Sequence, residues 1–274
     1  MLALVLVGTA ADEYQPPAMV PAPRPPAERV DRVNGLDRSA PVAADLFAAP
    51  VGIAASCSAE VVETMTLDRE FWERRWTEVL DEHGDTVARM PPNAHLTAEV
   101  GDLPAGRALD AGCGHGAETM WLAARGWTVT ALDFSPAVLE HARATAEEAL
   151  GAEIAGRIDF IEGDLTTWAP EPGYFDLVVF LYVHSAGAVH ELIQRMASGV
   201  IPGGTLFLVG HRPIDPDPGA ETPAAGQVQV SVDEARAALG SEQWDIAVAE
   251  DRRRPAAKSG VDAVICARRR EGAS

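Results

Sequence analysis

Short apolar segments alternate with helical segments from residue 108 to residue 267. Seven of the apolar segments have the length and composition of strands, and they are Ala108–Ala111, Thr128–Leu132, Ile158–Ile161, Phe175–Leu181, Gly204–Val209, Trp244–Ala249 and Val261–Ala267. Four helical segments lie between them, at Ala117–Arg125, Pro136–Leu150, Val189–Ser198 and Val232–Leu239. The alternation predicts an α/β fold with a doubly wound, Rossmann-like sheet of seven strands and helices on both faces.

The last two predicted strands are not separated by a helix, because only Arg252–Gly260 connects them. Parallel neighbours in a sheet need a long crossover connection, so strands joined by a short loop should pair antiparallel. The predicted sheet is therefore mostly parallel, with an antiparallel last strand.

The first 64 residues differ in composition from the rest of the chain. They contain 8 of the 20 prolines and only two aromatic residues. A segment without a face to bury cannot offset its loss of conformational entropy. We predict a disordered Pro/Ala-rich extension over 1–64, a helical cap segment over 65–105 and the core domain over 106–274. The apolar start lacks a positively charged segment, so it is not interpreted as a signal peptide.

The chain is acidic, with 22 Lys and Arg residues against 41 Asp and Glu residues and a net charge of −19. A protein that binds nucleic acid through phosphates needs a basic face, and anionic membranes attract basic segments. We therefore expect neither nucleic acid nor membrane as a partner. Cys57, Cys113 and Cys266 lie far apart without a C-x-x-C pair. This spacing predicts no metal site and no disulfide framework, and it fits a cytoplasmic protein.

The segment Ala108–Gly116 reads Ala-Leu-Asp-Ala-Gly-Cys-Gly-His-Gly, at the point where a predicted strand turns into a helix. Glycine at positions 112, 114 and 116 permits a tight turn and a close approach of a ligand to the backbone. The helix that follows offers free N–H groups and the positive end of its dipole. By itself, such a turn indicates a nucleotide-like ligand only weakly.

Acidic residues near the ends of three successive predicted strands sharpen this indication: Asp110, Asp133 and Asp164. Ligands of doubly wound sheets bind at the edge where the carboxyl ends of the strands lie. Asp133 could accept both ribose hydroxyls, and Asp164 could accept from an adenine amine. Asp110 would repel a pyrophosphate but could pair with an ammonium group. The pattern favours a cationic adenosyl ligand with an amino acid group, such as S-adenosylmethionine.

With these residues in view, the chain resembles the class I S-adenosylmethionine-dependent methyltransferases over about residues 65–270. Three cofactor motifs carry the resemblance, at 108–116, 129–135 and 161–165. Within that family the chain most resembles the small-molecule branch of tellurite-resistance and thiopurine-type methyltransferases. The segments that indicate this branch are FWERRW at 71–76, PPNAHL at 91–96, Tyr182-Val-His184 and Gly210-His211.

The resemblance implies a role for each of these residues. The family's cofactor, S-adenosyl-L-methionine, leaves as S-adenosyl-L-homocysteine. The residues implied to bind the cofactor are Asp110, Gly112, Cys113, Gly114 and Gly116 at the methionine portion, Asp133 at the ribose, Phe134, Asp164 and Leu165 at the adenine, and Leu181 near the methyl donor. Trp72, Trp76 and Tyr182 are implied to line the acceptor pocket, with the first two on a helix that covers it.

A base is needed only for some acceptors, since a thiolate needs no proton removed whereas an oxygen or nitrogen acceptor can require it. His184 and His211 each follow the carboxyl end of a predicted strand, and histidine titrates near neutral pH. They are the candidate catalytic residues.

Three alternatives to a small-molecule methyltransferase stay open. A nicotinamide-dependent oxidoreductase would carry G-x-G-x-x-G, whereas this turn reads G-x-G-x-G. A non-catalytic scaffold could retain the fold, although its acidic residues are intact. The acceptor could instead be a protein or peptide. The identity of the acceptor and the choice between monomer and homodimer are open as well.

Overall fold

Six helices and seven strands form within the residues that the computed structural model describes, which are 69–183, 188–211, 230–253 and 261–272. The strands are β1 Arg107–Ala111, β2 Thr128–Asp133, β3 Ile158–Glu162, β4 Phe175–Leu181, β5 Val200–His211, β6 Trp244–Arg253 and β7 Val261–Arg269. The helices are α1 Arg69–Val87, α2 Ala94–Val100, α3 Ala117–Ala124, α4 Pro136–Ala155, α5 Val189–Ser198 and α6 Val232–Leu239. The described residues all lie in the compact unit Pro41–Ser274.

The seven strands form one sheet in the order β3-β2-β1-β4-β5-β7-β6. Strands β1 to β5 pair in parallel with one another, whereas β7 lies between β5 and β6 and pairs antiparallel with both. The predicted fold class and the antiparallel last strand are therefore confirmed. The parallel part of the sheet brings the carboxyl ends of β1, β2, β4 and β5 to one edge.

Both faces of the sheet are covered, as the apolar run in β4 indicates. Val178 and Phe180 pack on the face that α5 and α6 cover. Leu177 and Val179 pack on the opposite face, among apolar residues of α2 and α3. All four side chains are at most 2% exposed. This alternation of side chains between two apolar layers explains why the strand has no polar face.

Helix caps set several element boundaries. The side chain of Asn93 accepts hydrogen bonds from the first N–H groups of α2, and that of Ser135 caps α4, with Pro136 at its first position. Gly151, predicted to end α4, does interrupt its helical geometry with φ 75° and ψ 160°, but helical structure resumes and continues to Ala155.

Strand β5 begins earlier than the predicted Gly204. The segment before Gly204, including Pro202 and Gly203, belongs to a strand that starts at Val200. The pairing of β4 with β5 shifts register between Phe175 and Leu177, which accommodates the irregular segment within the sheet.

The predicted extension over 1–64 lies outside the described residues, and the division into extension, cap and core stays a prediction. None of the described helices is long and apolar enough to cross a membrane.

The close packing around β5 gives a first prediction, based on the same substitution at two glycines. A Cβ added at Gly204 would lie 2.9 Å from the backbone oxygen of Asp176 and 2.8 Å from Cγ1 of Val200. We expect Gly204→Ala to lower the free energy of unfolding by ~1–3 kcal/mol, because a strand backbone cannot yield easily. At Gly84 in α1 the atom nearest to an added Cβ would be 3.7 Å away. Gly84→Ala should therefore raise the free energy of unfolding by ~0.5–1 kcal/mol.

Chemical denaturation of the full chain measures both variants. Equal stability of Gly204→Ala and the wild type would contradict the packing described for β5, whereas Gly84→Ala controls for the general effect of adding a methyl group.

Candidate active site

The turn between β1 and α3 is shaped by three glycines with left-handed backbones. Gly112, Gly114 and Gly116 have φ angles of 77°, 49° and 83°, a region that residues with side chains rarely adopt. The N–H groups of Gly112 and Cys113 donate to the carbonyl oxygen of Leu132 at 2.7 and 2.9 Å. The turn is thereby fastened to β2, and α3 begins directly after it.

Two carboxylates lie on either side of this turn. Asp110 in β1 is 2% exposed, and its Oδ2 accepts a hydrogen bond from the Thr119 hydroxyl at 2.5 Å. Glu118, in the first turn of α3, accepts a hydrogen bond from the backbone N–H of Asn93 at 2.9 Å. The glycine turn therefore brings the carboxyl groups of a strand and of the following helix to one place.

A third carboxylate, Asp133, completes the cluster from the end of β2. It is 6% exposed. Its Oδ2 accepts the N–H of Gly114 at 2.9 Å, and its Oδ1 accepts the N–H of Ser135 at 3.1 Å. Asp133 thus links the glycine turn to the start of α4, and its carboxylate lies where the sequence predicts a ribose ligand.

The three carboxylates are held at raised pKa values. Burial raises the pKa of Asp110 to about 7, and the negative charges of Glu118 and Asp133 add to the effect. Burial also raises the pKa of Glu118, and it raises that of Asp133 in spite of the N–H groups that stabilise its charge. Within the described part of the chain, no cation forms an ion pair with any of the three. The site is electrostatically prepared for a positively charged ligand.

The adenine side of the predicted site has a different environment. Asp164 Oδ1 accepts hydrogen bonds from both the N–H and the hydroxyl of Thr166, at 2.8 and 2.7 Å. This is an Asx-type turn, in which an aspartate side chain hydrogen-bonds the backbone two residues on. Leu165 is 8% exposed and belongs to the apolar core, and Arg195 donates to its carbonyl oxygen. Their contact with an adenine ring stays a prediction.

Helix α1 is fastened across the ends of β2 and β3. Arg69 donates to Glu162 Oε1 at 2.7 Å and to the carbonyl oxygen of Phe134 at 3.0 Å. One turn later, Glu73 accepts a hydrogen bond from the Ser135 hydroxyl at 3.2 Å. These contacts hold α1 at the ends of β2 and β3, and its role as a cap over a pocket stays a prediction.

The two tryptophans of α1 differ in position. A Cβ added at Gly114 would lie 3.0 Å from Cζ2 of Trp76, so this indole lies directly against the glycine turn. Trp72 is 9% exposed and packs edge to face on Phe71, with ring centroids 5.2 Å apart. Trp76 thus lies against the turn that was predicted to bind the cofactor, whereas the described ring contact of Trp72 is with Phe71.

A second group of polar side chains lies beyond the end of β4. Tyr182 has a left-handed backbone with φ 54° and stacks on His211, with ring centroids 4.5 Å apart. The Tyr182 hydroxyl donates to Asp262 Oδ2 at 2.7 Å. Nδ1 of His211 lies 3.5 Å from Oδ1 of the same carboxylate. Asn93 approaches the Tyr182 hydroxyl at 3.4 Å, so α2 also reaches this group.

Tyr182 and His211 line a narrow cleft together with apolar side chains of β4, β5 and α5. Val183, in its wall, would lie 2.8 Å from a Cβ placed on Gly112. The cleft therefore adjoins the glycine turn. Leu181, predicted near the methyl donor, is partly buried at the end of β4. His184 lies outside the described residues.

Cys113 and His115 in the turn do not have the properties of reactive groups. Burial raises the pKa of the Cys113 thiol well above its usual value, and it lowers the pKa of His115 to about 4. A thiol kept neutral is a poor nucleophile. Among the described residues, no group of three or more His, Cys, Asp or Glu side chains could hold a metal ion.

Comparison with known proteins relates this geometry to a family. Residues 108–204 match a family model described as a methyltransferase domain. Trans-aconitate 2-methyltransferase of Streptomyces avermitilis is 39% identical over 129 residues, 45% of this chain and 46% of that protein. Ubiquinone biosynthesis O-methyltransferase of Xanthomonas campestris is 37% identical over 136 residues, 49% and 55% respectively. Residues 108–204 thus match a methyltransferase domain, in the segment that holds the three predicted cofactor motifs.

A solved structure shares the fold of this chain. A solved S-adenosylmethionine-dependent methyltransferase from Mesorhizobium loti superposes with a TM-score of 0.52 at 22% identity, covering 65% of this chain and 99% of that one. The chain spans about half the length of the curated relatives that it matches. The predicted family resemblance is confirmed, whereas the roles of individual residues stay predictions.

Two candidate site residues, Glu118 and Asp262, were missed in the sequence. Glu118 was not distinguished from an ordinary helix-start carboxylate, which stabilises a helix dipole in many proteins. Asp262 was passed over inside the predicted strand Val261–Ala267, although it is fully buried. A lone carboxylate within an otherwise apolar strand was the available signal, because a buried charge requires partners.

The raised pKa of Asp110 gives a prediction about the stability of the methyltransferase domain without ligand. Between the usual aspartate pKa and about 7, the folded chain binds a proton that the unfolded chain has lost. Asp110 therefore makes the protein less stable as the pH rises through this range. Asp110→Asn does not titrate and can still accept from Thr119, so its stability relative to the wild type should rise over ~pH 4–7.

Denaturation curves of wild type and Asp110→Asn across this pH range measure the difference. Subtracting the stability of the wild type from that of the variant cancels the contributions common to both proteins. One of these is the contribution of His115, whose lowered pKa makes the protein more stable as the pH rises. Asp159→Asn, at an exposed position of β3, controls for the loss of one negative charge. A stability difference that falls with rising pH would contradict the prediction.

Proposed function

We propose that this chain transfers a methyl group from S-adenosylmethionine to a small-molecule acceptor. The observation that carries the proposal is the buried cluster of Asp110, Glu118 and Asp133 at the glycine turn, which is without a cationic partner among the described residues. S-adenosylmethionine brings two positive charges, the ammonium of its methionine portion and the sulfonium. Burying these charges beside the carboxylates relieves an electrostatic cost that the free protein bears.

The successive parts of the cofactor would lie at the carboxyl ends of β1, β2 and β3. Asp110 and the glycine turn would hold the methionine portion, and Asp133 would accept from the ribose while retaining its two backbone N–H donors. In the described residues, the second carboxylate oxygen of Asp164 accepts no hydrogen bond, which leaves it available to an adenine amine. Trp76 covers the turn from α1 and would exclude water from the bound cofactor.

When bound, the sulfonium supplies an activated methyl group that reacts by in-line displacement, for which alignment of the acceptor is the main requirement. The contribution of this chain is to place the two molecules. The glycine turn holds one side, and the cleft lined by Tyr182 and His211 holds the other. Val183 of the cleft packs on Gly112, so the two parts of the site are in contact. His211 and His184 are the candidate bases for an acceptor that must lose a proton.

Charge argues against the alternative of a nicotinamide cofactor. A pyrophosphate at the glycine turn would face Asp110, Glu118 and Asp133, whose pKa values are already raised by burial. The names of the two curated relatives describe an aconitate and a ubiquinone-pathway methyltransferase, which favours a small molecule over a protein or peptide acceptor. Because the chain has a net charge of −19, we propose that neither nucleic acid nor a membrane is its partner. We also propose that the enzyme is cytoplasmic.

Calorimetric titration of the full chain tests the cofactor directly. We expect S-adenosylmethionine and S-adenosylhomocysteine to bind with dissociation constants on the order of micromolar, and NADH not to bind. Asp133→Ala should weaken both adenosyl ligands by a factor of about 10 or more, since it removes a charge-assisted acceptor. Binding of NADH alone would overturn the proposed function, and unchanged affinity of Asp133→Ala would remove this residue from the site.

The raised pKa of Asp110 adds an independent test. At pH 6 Asp110 is largely protonated in the free protein, because its pKa is about 7. A cation bound beside it favours the carboxylate, so binding of S-adenosylmethionine should release up to about one proton. Titration at pH 6 in two buffers of different ionisation enthalpy measures this number, and Asp110→Asn should release less. Proton uptake on binding would contradict a cation at Asp110.

A further inference from the structure

Tyr182 determines the direction of the chain where it leaves β4. The strand ends at Leu181, and the N–H of Tyr182 still donates to the carbonyl oxygen of Val209 in β5 at 2.8 Å. At Tyr182 itself the backbone becomes left-handed, with φ 54°. Among the residues that the structure describes, Tyr182 is the only one besides glycine with a positive φ. The chain therefore leaves the sheet at this one residue.

The left-handed backbone of Tyr182 is unfavourable for a residue with a large side chain, so it persists only where contacts hold it. Its hydroxyl donates to Oδ2 of Asp262 at 2.7 Å, and Nδ2 of Asn93 donates to the same hydroxyl at 3.4 Å. The ring stacks on His211, with 4.5 Å between centroids. Side chains of α2, β5 and β7 thus hold the ring, and with it the backbone.

Asp262 is a fixed support for the Tyr182 hydroxyl. It is fully buried in β7. Nδ1 of His211 lies 3.5 Å from its Oδ1, and Nε2 of His95 lies 4.0 Å from its Oδ2. A buried carboxylate needs polar partners on each side, and these partners keep it in place. The hydroxyl is therefore anchored on a group that cannot move without breaking several contacts.

The left-handed backbone places the next residue, Val183, against the glycine turn. A Cβ added at Gly112 would lie 2.8 Å from Cγ2 of Val183 and 3.7 Å from Cδ1 of Leu165. Val183 therefore packs on the first glycine of the turn that would hold the methionine portion of the cofactor. An apolar side chain there excludes water and strengthens the electrostatic contacts of a bound cation. With an extended backbone at Tyr182, the chain would instead continue in the direction of β4.

We propose that Tyr182 is a positioning residue for the cofactor, because its side chain, anchored on Asp262, holds a left-handed backbone that keeps Val183 on the glycine turn. This inference rests on the proposed function. Tyr182 acts through Val183 and requires no contact of its own with the cofactor. The role is additional to the place in the acceptor pocket that the family resemblance implies for this residue.

Alanine and glycine at position 182 separate the effect of the backbone from that of the ring. Both remove the ring, but glycine adopts a left-handed backbone readily, whereas alanine does not. In calorimetric titrations of the full chain with S-adenosylmethionine, Tyr182→Ala should weaken binding by a factor of about 10 or more. Tyr182→Gly should bind at least about threefold more tightly than Tyr182→Ala.

A ring that merely fills space predicts the opposite order for the two variants. Both substitutions would leave the same cavity, and glycine would add flexibility to the chain. Binding by Tyr182→Gly that is no tighter than binding by Tyr182→Ala would therefore overturn the proposal.

Tyr174, directly before β4, provides the matched control. It is 37% exposed, and its backbone is not left-handed. Tyr174→Ala and Tyr174→Gly should both bind S-adenosylmethionine as the wild type does. An equal advantage of glycine over alanine at this position would reveal a general effect of chain flexibility and would overturn the proposal.

A double-mutant cycle tests whether Tyr182 acts through Val183. Val183→Ala should itself weaken binding of S-adenosylmethionine by about threefold or more, because the turn loses apolar cover. Combined with Tyr182→Ala, it should weaken binding by less than the product of the two single effects, since both remove the same contact. Effects that multiply would overturn the route through Val183.

NMR of the wild-type chain tests the backbone without depending on how the alanine and glycine variants fold. The chain has three tyrosines, so selective labelling gives few signals, and Tyr182→Phe identifies the signal of Tyr182. Its one-bond Cα–Hα coupling should be reduced, as in other left-handed residues. A coupling typical of an extended residue would overturn the proposal.

The outcomes distinguish this inference from the proposed function. A wild-type chain that does not bind S-adenosylmethionine would refute the proposed function and this inference with it. Binding by the wild type, together with equal affinities of Tyr182→Ala and Tyr182→Gly, would overturn the inference alone.

Discussion

The hydrogen bonds from the glycine turn to the Leu132 carbonyl oxygen are the constraint on which the site depends. They join β1, β2 and the start of α3 at a single point. Because Gly112 and Gly114 adopt left-handed conformations, the chain can reverse here within a few residues. The start of α3 then lies next to β1, so that Glu118 joins Asp110 and Asp133. The three carboxylates cluster because the turn leads directly from β1 into α3 and is bonded to β2.

Parts of this arrangement could be predicted from the sequence because they follow from local rules. Strand β4 and helices α5 and α6 have the predicted bounds, since an apolar run, an amphipathic period and flanking polar residues all agree there. The glycine turn and Asp110, Asp133 and Asp164 also lie at the predicted edge. The order of strands places them there, and that order follows from the alternation of strands and helices.

Other parts depend on contacts between distant segments and could not be predicted locally. β5 begins at Val200 because the sheet accepts an irregular register beside Phe175. Asp262 lies opposite His211 only because the register of β5 and β7 pairs the two residues. That register requires β7 to insert between β5 and β6.

Two of the buried acidic groups, Asp262 and Asp110, illustrate different solutions to the same physical problem. Asp262 receives a hydroxyl donor from Tyr182 and faces His211, so its charge is supported by the protein itself. Asp110 receives a hydroxyl from Thr119 but is next to two further carboxylates, and its pKa rises to about 7. A carboxylate with permanent partners can orient a neighbouring side chain throughout a reaction cycle. One that lacks a cation gains its partner only on binding, which couples its ionisation to the arrival of a positively charged ligand.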